Sequence, residues 1–131
     1  MTGSNPIALV ERAIRLFNEV DDLAFVDSFD PRCRIYSEPQ LAPGEVLQGR
    51  EALREWIGGV RPHVERVLMT LQDVAEHRGR VFGDVLIVTG PEGAGSGWRV
   101  SFAIWFEGDL ISEARLFWDR RAAVQALEET P

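Results

Sequence analysis

The chain has 131 residues and a formal net charge of −7, with 45% apolar and 27% charged residues. This length fits one domain with an apolar core, and the negative charge argues against a nucleic-acid partner, whose phosphates need clustered cations. No run approaches the roughly 18 consecutive apolar residues of a membrane helix, so we expect no membrane partner.

The residue inventory narrows the chemistry further. The one cysteine, Cys33, has no second cysteine for an internal disulfide, and Met1 to Pro6 lack the features of a signal peptide, so we expect a cytoplasmic protein. All 14 basic residues are arginine, which excludes Schiff-base chemistry because that needs a lysine amine. His63 and His77 show no metal-ligand spacing, so we expect no metal and no other cofactor.

Helical periodicity dominates the first half of the chain and period-two alternation the second half. The predicted helices run from Ile7 to Phe17, from Asp21 to Asp30 and from Gly49 to Ile57, where Gly58 and Gly59 close the last one. A strand from Cys33 to Glu38 and a loop from Pro39 to Gln48 lie between them. Strands follow near 64–76, 80–89, 98–106 and 110–118, and a short helix at 120–127 is predicted to be capped by Asp119. Helices followed by a meander without helical crossovers are an α+β pattern.

The last hairpin predicts which residues face the core. If Glu107-Gly108-Asp109 is a three-residue turn, Phe106 pairs with Leu110 and the two faces separate most cleanly. The inner face then holds the even-numbered residues from Val100 to Trp118. The outer face still carries Trp105, Ile111 and Phe117, which is too much apolar area to leave in water. We therefore predict a homodimer through the outer sheet face.

Four segments carry a family resemblance. Residues 22–36 read as a short helix leading into a strand, and 49–56 as G-x-E-A-hydrophobic-x-x-aromatic. Residues 107–113 are similar to a D-G-x-I-x-E hairpin, and 116–119 precede a helical tail. In this order they resemble the SnoaL-like branch of the nuclear transport factor 2 and ketosteroid isomerase superfamily. The resemblance implies one domain over residues 1–131, a cystatin-like α+β cone. In this fold a curved mixed or antiparallel sheet wraps around N-terminal helices and encloses an apolar pocket.

The same fold hosts several functions, so the site must decide between them. One hypothesis is a cofactor-free isomerase, cyclase or hydrolase that acts on a small hydrophobic ring compound by carboxylate acid–base chemistry. The alternative is a non-catalytic small-molecule-binding or dimerisation module. The enzyme predicts a carboxylate facing into the cone, whereas the module predicts a wholly apolar inner face.

Two carboxylates are candidate bases. Glu38-Pro39 is similar to the acid and proline that ketosteroid isomerases carry after the first strand, and Tyr36 shares its strand face as a hydrogen-bond donor. A solvated glutamate at a strand end is the other interpretation. Asp84 lies on a strand comparable to one that holds an Arg-x-Asp in limonene epoxide hydrolases, with Phe82 at the arginine position. Strand parity leaves two readings: either Asp84 faces the pocket, or the alternate residues from Val81 to Ile87 do.

Aromatic and aliphatic residues on the inner faces are candidate binding residues. Trp56 and Trp118, together with Leu116 and Phe102, could wall a pocket for a flat polycyclic ligand. The alternative role for these tryptophans is filling the core or an interface. The predicted partner is therefore a hydrophobic small molecule.

Overall fold

A computed structural model describes residues 5–38, 46–60, 67–89 and 97–129. The helices are α1 (Pro6–Asn18), α2 (Asp22–Asp27), α3 (Gly49–Val60) and α4 (Arg120–Glu129). The strands are β1 (Phe29–Ser37), β2 (Leu47–Gln48), β3 (Val67–His77), β4 (Arg80–Thr89), β5 (Gly97–Glu107) and β6 (Leu110–Phe117). Among these four described segments, no helix is long and apolar enough to cross a membrane.

The order of elements confirms the predicted α+β pattern, with three local differences. Phe29 opens β1 instead of ending the second helix, and β2 lies at the end of the predicted loop, whose residues 39–45 are outside the described ones. α3 continues through Gly58 and Gly59 to Val60, so the glycine pair does not close it. The predicted cap is confirmed, because the Asp119 carboxylate accepts the Ala122 N–H at 2.9 Å at the start of α4.

One six-stranded mixed sheet organises the fold, in the order β2-β1-β6-β5-β4-β3. β1 and β6 run parallel, and the other neighbours are antiparallel. The register shifts within the β1–β6, β3–β4 and β5–β6 pairs, and Asp73 in the β3 irregularity has a φ of 51°. Such bulges bend strands and increase their twist, which helps to curve the sheet.

The sheet has apolar partners on both faces. We call the face that carries Val81, Val85, Val100 and Phe102 the inner face; these side chains join residues of α1, α2 and α3 in the main core. The opposite, outer face is covered in part by α4. There Ala103 and Trp105 form a second buried cluster with three residues of α4, flanked by Phe82 and Phe117; the α4 residues are Ala123, Ala126 and Leu127.

The final hairpin differs from the predicted one. Glu107 pairs with Leu110 across a two-residue turn, and Gly108 in that turn has a φ of 61°. The predicted three-residue turn, with Phe106 opposite Leu110, is therefore wrong. A bulge near Ser112 then brings Trp105 opposite Glu113, which restores the predicted faces from Glu113 onwards.

This geometry removes the reason for the outer-face dimer. Ile111, predicted to lie outside, is buried in the main core. Trp105 is 8% exposed and Phe117 is half-buried, both in the cluster that α4 covers. The apolar area that motivated the dimer prediction is thus buried within one chain.

Candidate functional site

Tyr36 lies on the outer face of β1. Its neighbours Cys33 and Ile35 are buried in the main core, so the alternate side chains of this strand point the other way. The Arg115 guanidinium carbon lies 5.3 Å from the centroid of the Tyr36 ring and 5.0 Å from that of Trp105. This stack belongs to the outer surface, so Tyr36 does not line the cone as predicted.

Glu38 is fixed at the end of the sheet. Its backbone N–H donates to the carbonyl of Leu116 at 3.1 Å, and its carboxylate Oε1 accepts the backbone N–H of Trp118 at 2.8 Å. The side chain therefore continues the pairing between β1 and β6 for one more residue. One carboxylate oxygen is thus engaged by the backbone of the residue that follows β6.

The structure shows which face of β4 carries Asp84, a point that the sequence left open. Val81 and Val85 belong to the main core, so Asp84 faces outward, and the inward reading is wrong. It is nevertheless buried, because α4 passes over this region. The Ser101 hydroxyl donates to its carboxylate at 2.7 Å, and Arg99 and Arg120 lie 3.7 and 3.8 Å from its oxygens.

The Asp84 cluster joins α4 to the sheet. Arg120 lies in the first turn of α4, and its guanidinium carbon stacks 5.0 Å from the centroid of the Phe82 ring. Farther along the helix, the Arg80 guanidinium donates to the carbonyl of Leu127 at 3.4 Å. These contacts give Asp84, Arg120 and Arg80 a structural role on the outer face.

A residue that the sequence reasoning missed, Trp98, lies on the inner face. It pairs directly with Ile87, which packs against the main core, and directly opposite residues share a sheet face. It is two residues before the buried Val100 and is 39% exposed. The alternation that placed Val100 and Phe102 inside was the available signal, since it extends unbroken to Trp98.

The predicted binding residues occupy different depths. Phe102 is buried in the main core, whereas Trp56 and Leu116 are half-buried against that core. Trp118 directly follows β6 and is 49% exposed. Trp98 and Trp118 lie where β1, β4 and β6 end and β3 and β5 begin; we call this the tryptophan end of the sheet.

The surface grooves found on the described residues lie beside helices, and neither Trp98 nor Trp118 lines them. One groove runs along α4, a second lies between α1 and the first residues of β3, and a third of about 170 Å³ lies between α1, α2 and the β5–β6 hairpin. In the described part of the chain, no group of three histidine, cysteine or acidic residues is arranged to hold a metal ion. Cys33 is buried, and this burial raises the pKa of its thiol.

Comparison with known families identifies the fold. The sequence model of the SnoaL-like domain matches residues 10–114. The chain belongs to the SnoaL-like family. A comparison of this SnoaL-like chain with the curated proteins gave no match.

Solved structures similar to this SnoaL-like chain are cystatin-fold and NTF2-like proteins. An uncharacterised cystatin-fold protein from Novosphingobium aromaticivorans is 18% identical, with a TM-score of 0.72 over 87% of this chain and 98% of the other. RV0760c from Mycobacterium tuberculosis, in complex with estradiol-17beta-hemisuccinate, is 15% identical, with a TM-score of 0.74 over 88% and 95%. A computationally designed 17-OHP binder is 14% identical, with a TM-score of 0.75 over 88% and 95%. These likenesses confirm the predicted α+β cone.

Proposed function

We propose that this SnoaL-like domain binds a flat, hydrophobic small molecule at the tryptophan end of its inner face. The observation that carries the proposal is the position of Trp98, a large aromatic side chain on the inner face that is still 39% exposed. The next inner-face residues of β5, Val100 and Phe102, are buried in the main core. A flat ligand on this surface would remove aromatic area from water and gain ring–ring contact.

Two structural neighbours support this choice of ligand. RV0760c was solved with an estradiol ester, and a designed protein of the same fold was made to bind 17-OHP. Both therefore place a ring compound in this architecture. At 15% and 14% identity, these two proteins share only their fold with the present chain. The proposed ligand class is therefore argued from the side chains on the inner face of this chain.

The positions of the candidate bases favour binding over turnover. Tyr36 and Asp84 lie on the outer face, and the Glu38 carboxylate accepts a backbone N–H at the sheet end. A general base must come within hydrogen-bond reach of the proton that it removes from the ligand. An isomerase, cyclase or hydrolase reaction inside the cone therefore gains no support from these three residues, and the binding module becomes the preferred hypothesis.

A homodimer is a separate question from ligand binding. α4 covers the outer face around Trp105, so a dimer there would have to use the rest of that face. On β3 and β4 this surface includes the half-buried apolar side chains of Leu68, Leu86 and Val88. On β1 and β6 it carries the charged and polar side chains Arg34, Tyr36, Glu113 and Arg115. Light scattering would distinguish the 14.7 kDa chain from its dimer, and a single-chain mass would remove the dimer proposal without affecting the ligand proposal.

Calorimetric titration with estradiol and with 17-OHP tests the proposed function. We expect at least one of them to bind, and Trp98→Leu to weaken that binding about 5- to 30-fold because it removes the aromatic surface. Trp105→Phe is the matched control, since Trp105 is a tryptophan of the same strand on the outer face. Absence of binding to the wild-type chain, or equal losses in the two variants, would contradict the proposal.

A further inference from the structure

The helix α4 is attached to the fold differently from the other helices. The SnoaL-like sequence model matches residues 10–114, so α4 lies outside the part of the chain that the family model describes. It packs on the outer face of the sheet, whereas α1, α2 and α3 pack on the inner face. We infer that α4 is a cover that opens as a unit while the sheet beneath it stays folded.

The apolar contact between α4 and the sheet is small. The buried side chains of α4 are Ala123, Ala126 and Leu127, and an alanine methyl removes much less apolar area from water than a larger side chain does. α1, in contrast, buries Leu16 and Phe17 among others in the main core. In addition, a helix of ten residues is marginal in water on its own, so α4 depends on this small contact to stay folded.

Within the residues that the structure describes, two buried donors at this contact have no acceptor. Trp105 packs against α4, and its buried indole N–H makes no hydrogen bond. The buried Nη1 of Arg120, in the first turn of α4, also makes none and lies 3.8 Å from the Asp84 carboxylate. A buried donor without an acceptor opposes the closed arrangement, because water can bond to it once the helix leaves the sheet. The contact is thus weakened by its polar groups as well as by its small apolar area.

The residue before α4 determines where the opening begins. The Trp118 backbone N–H donates to the Glu38 carboxylate at 2.8 Å, which fixes the residue after β6 to the end of β1. α4 begins two residues later, at Arg120. The helix can therefore leave the sheet by a change of the backbone around Asp119, without disturbing β6. Opening exposes Trp105 to water, so access to this part of the outer face depends on α4.

Native-state hydrogen exchange followed by ¹H–¹⁵N NMR tests this inference on the full chain. The Trp105 indole N–H and the backbone amides of α4 report on the helix, and the backbone amides of β4 and β5 report on the sheet. We expect the helix reporters to share one level of protection, about tenfold or more below that of the sheet reporters. Their exchange should also depend less on urea, because opening one helix exposes less surface than unfolding the domain.

Two variants distinguish opening of α4 from unfolding of the whole domain. Leu127→Ala removes a buried contact of α4, so exchange of the Trp105 indole N–H should become about tenfold faster or more. Ile57→Val is the control, because Ile57 is buried in the main core and the change weakens the closed and open states equally. It should speed exchange of the sheet amides about 2- to 10-fold and leave exchange of the indole N–H unchanged.

Three results would overturn the inference. If the Trp105 indole N–H exchanges as slowly as the β5 amides, with the same urea dependence, α4 opens only when the whole domain unfolds. If the α4 amides exchange quickly but the indole N–H does not, the helix frays without leaving the sheet. If Ile57→Val speeds exchange of the indole N–H as much as that of the sheet amides, the two events are one. None of these results affects the proposed ligand, which binds on the other face.

Discussion

Replacing Asp84 by alanine tests the finding that the outer face holds a buried polar cluster. The Asp84 side chain is 6% exposed, and its carboxylate is the acceptor for the buried hydroxyl of Ser101. Alanine removes this acceptor, and an unsatisfied buried polar group costs about 1–3 kcal/mol. Asp84→Ala should therefore lower the free energy of unfolding, mainly through Ser101.

The two arginines add less to this loss. The Arg99 side chain is 58% exposed, so water can solvate its guanidinium group after the carboxylate is removed. The Arg120 side chain is 38% exposed, but its Nη1 atom, which faces Asp84, is buried and makes no hydrogen bond, so Arg120 contributes more to the loss than Arg99. Exposed ion pairs contribute about 0–1 kcal/mol, well below the roughly 3–5 kcal/mol of a fully buried pair. The total for Asp84→Ala is then about 2–3 kcal/mol, which corresponds to a fall in Tm of roughly 6–12 °C for a chain of this size.

Urea unfolding followed by circular dichroism measures this free energy. Glu51→Ala is the matched control, because Glu51 belongs to an ion pair with Arg54 in which the side chains are 76% and 51% exposed; we expect a change within about 0.5 kcal/mol. Asp84→Asn keeps an oxygen for Ser101, so it should cost about 1 kcal/mol. If Asp84→Ala is no more destabilising than Glu51→Ala, the polar cluster does not anchor α4 and the reasoning fails.

Two further predictions concern the backbone and the lone thiol. Val20 follows α1 with a φ of 60° and is largely exposed, so Val20→Gly should stabilise the fold by about 1 kcal/mol in the same urea assay, whereas Val20→Ala should not. Burial raises the pKa of Cys33 above 9.0, so the thiol should react with a disulfide reagent at pH 8 only after unfolding. The stability that this proton provides should be full below pH 9 and lost as pH rises above it. Rapid labelling of the native thiol, or an unchanged Val20→Gly, would refute the respective argument.

The sequence allowed the elements to be predicted because most of them have a clear period. The strand predicted at 80–89 coincides with β4, and that predicted at 98–106 lies within β5. The boundary between α2 and β1 was missed because Phe29 is buried in both descriptions, so its apolar character could not separate a helix from a strand.

The faces of β4 could not be read from the sequence for a physical reason. A strand that is covered on one side alternates between apolar and polar residues, whereas a strand covered on both sides reads as a continuous apolar run. α4 covers part of the outer face of β4 and packs against Phe82, while the main core covers Val85 on the inner face. Asp84 lies within such a run. Its position on the outer face, and its burial there, follow from the packing of α4 and could not be predicted from the sequence.

The candidate site was predicted only in part. Trp56, Leu116 and Phe102 were expected near the cone and do pack in or against the main core. The bulge in the β5–β6 pair was not predictable, since an extra residue leaves no periodic mark of its own. Trp98 was missed because the alternation was followed only as far as Val100.

The most direct test of the proposed binding site uses the indole N–H signals of the four tryptophans in a ¹H–¹⁵N correlation spectrum. Tryptophan-to-phenylalanine variants assign the four signals, and estradiol is then titrated into the wild-type chain. Ligand at the tryptophan end predicts that the Trp98 and Trp118 signals shift in a saturable way while the Trp105 signal, buried under α4, stays in place. Saturable shifts at Trp105 without shifts at Trp98, or an unchanged spectrum at saturating ligand, would contradict this account.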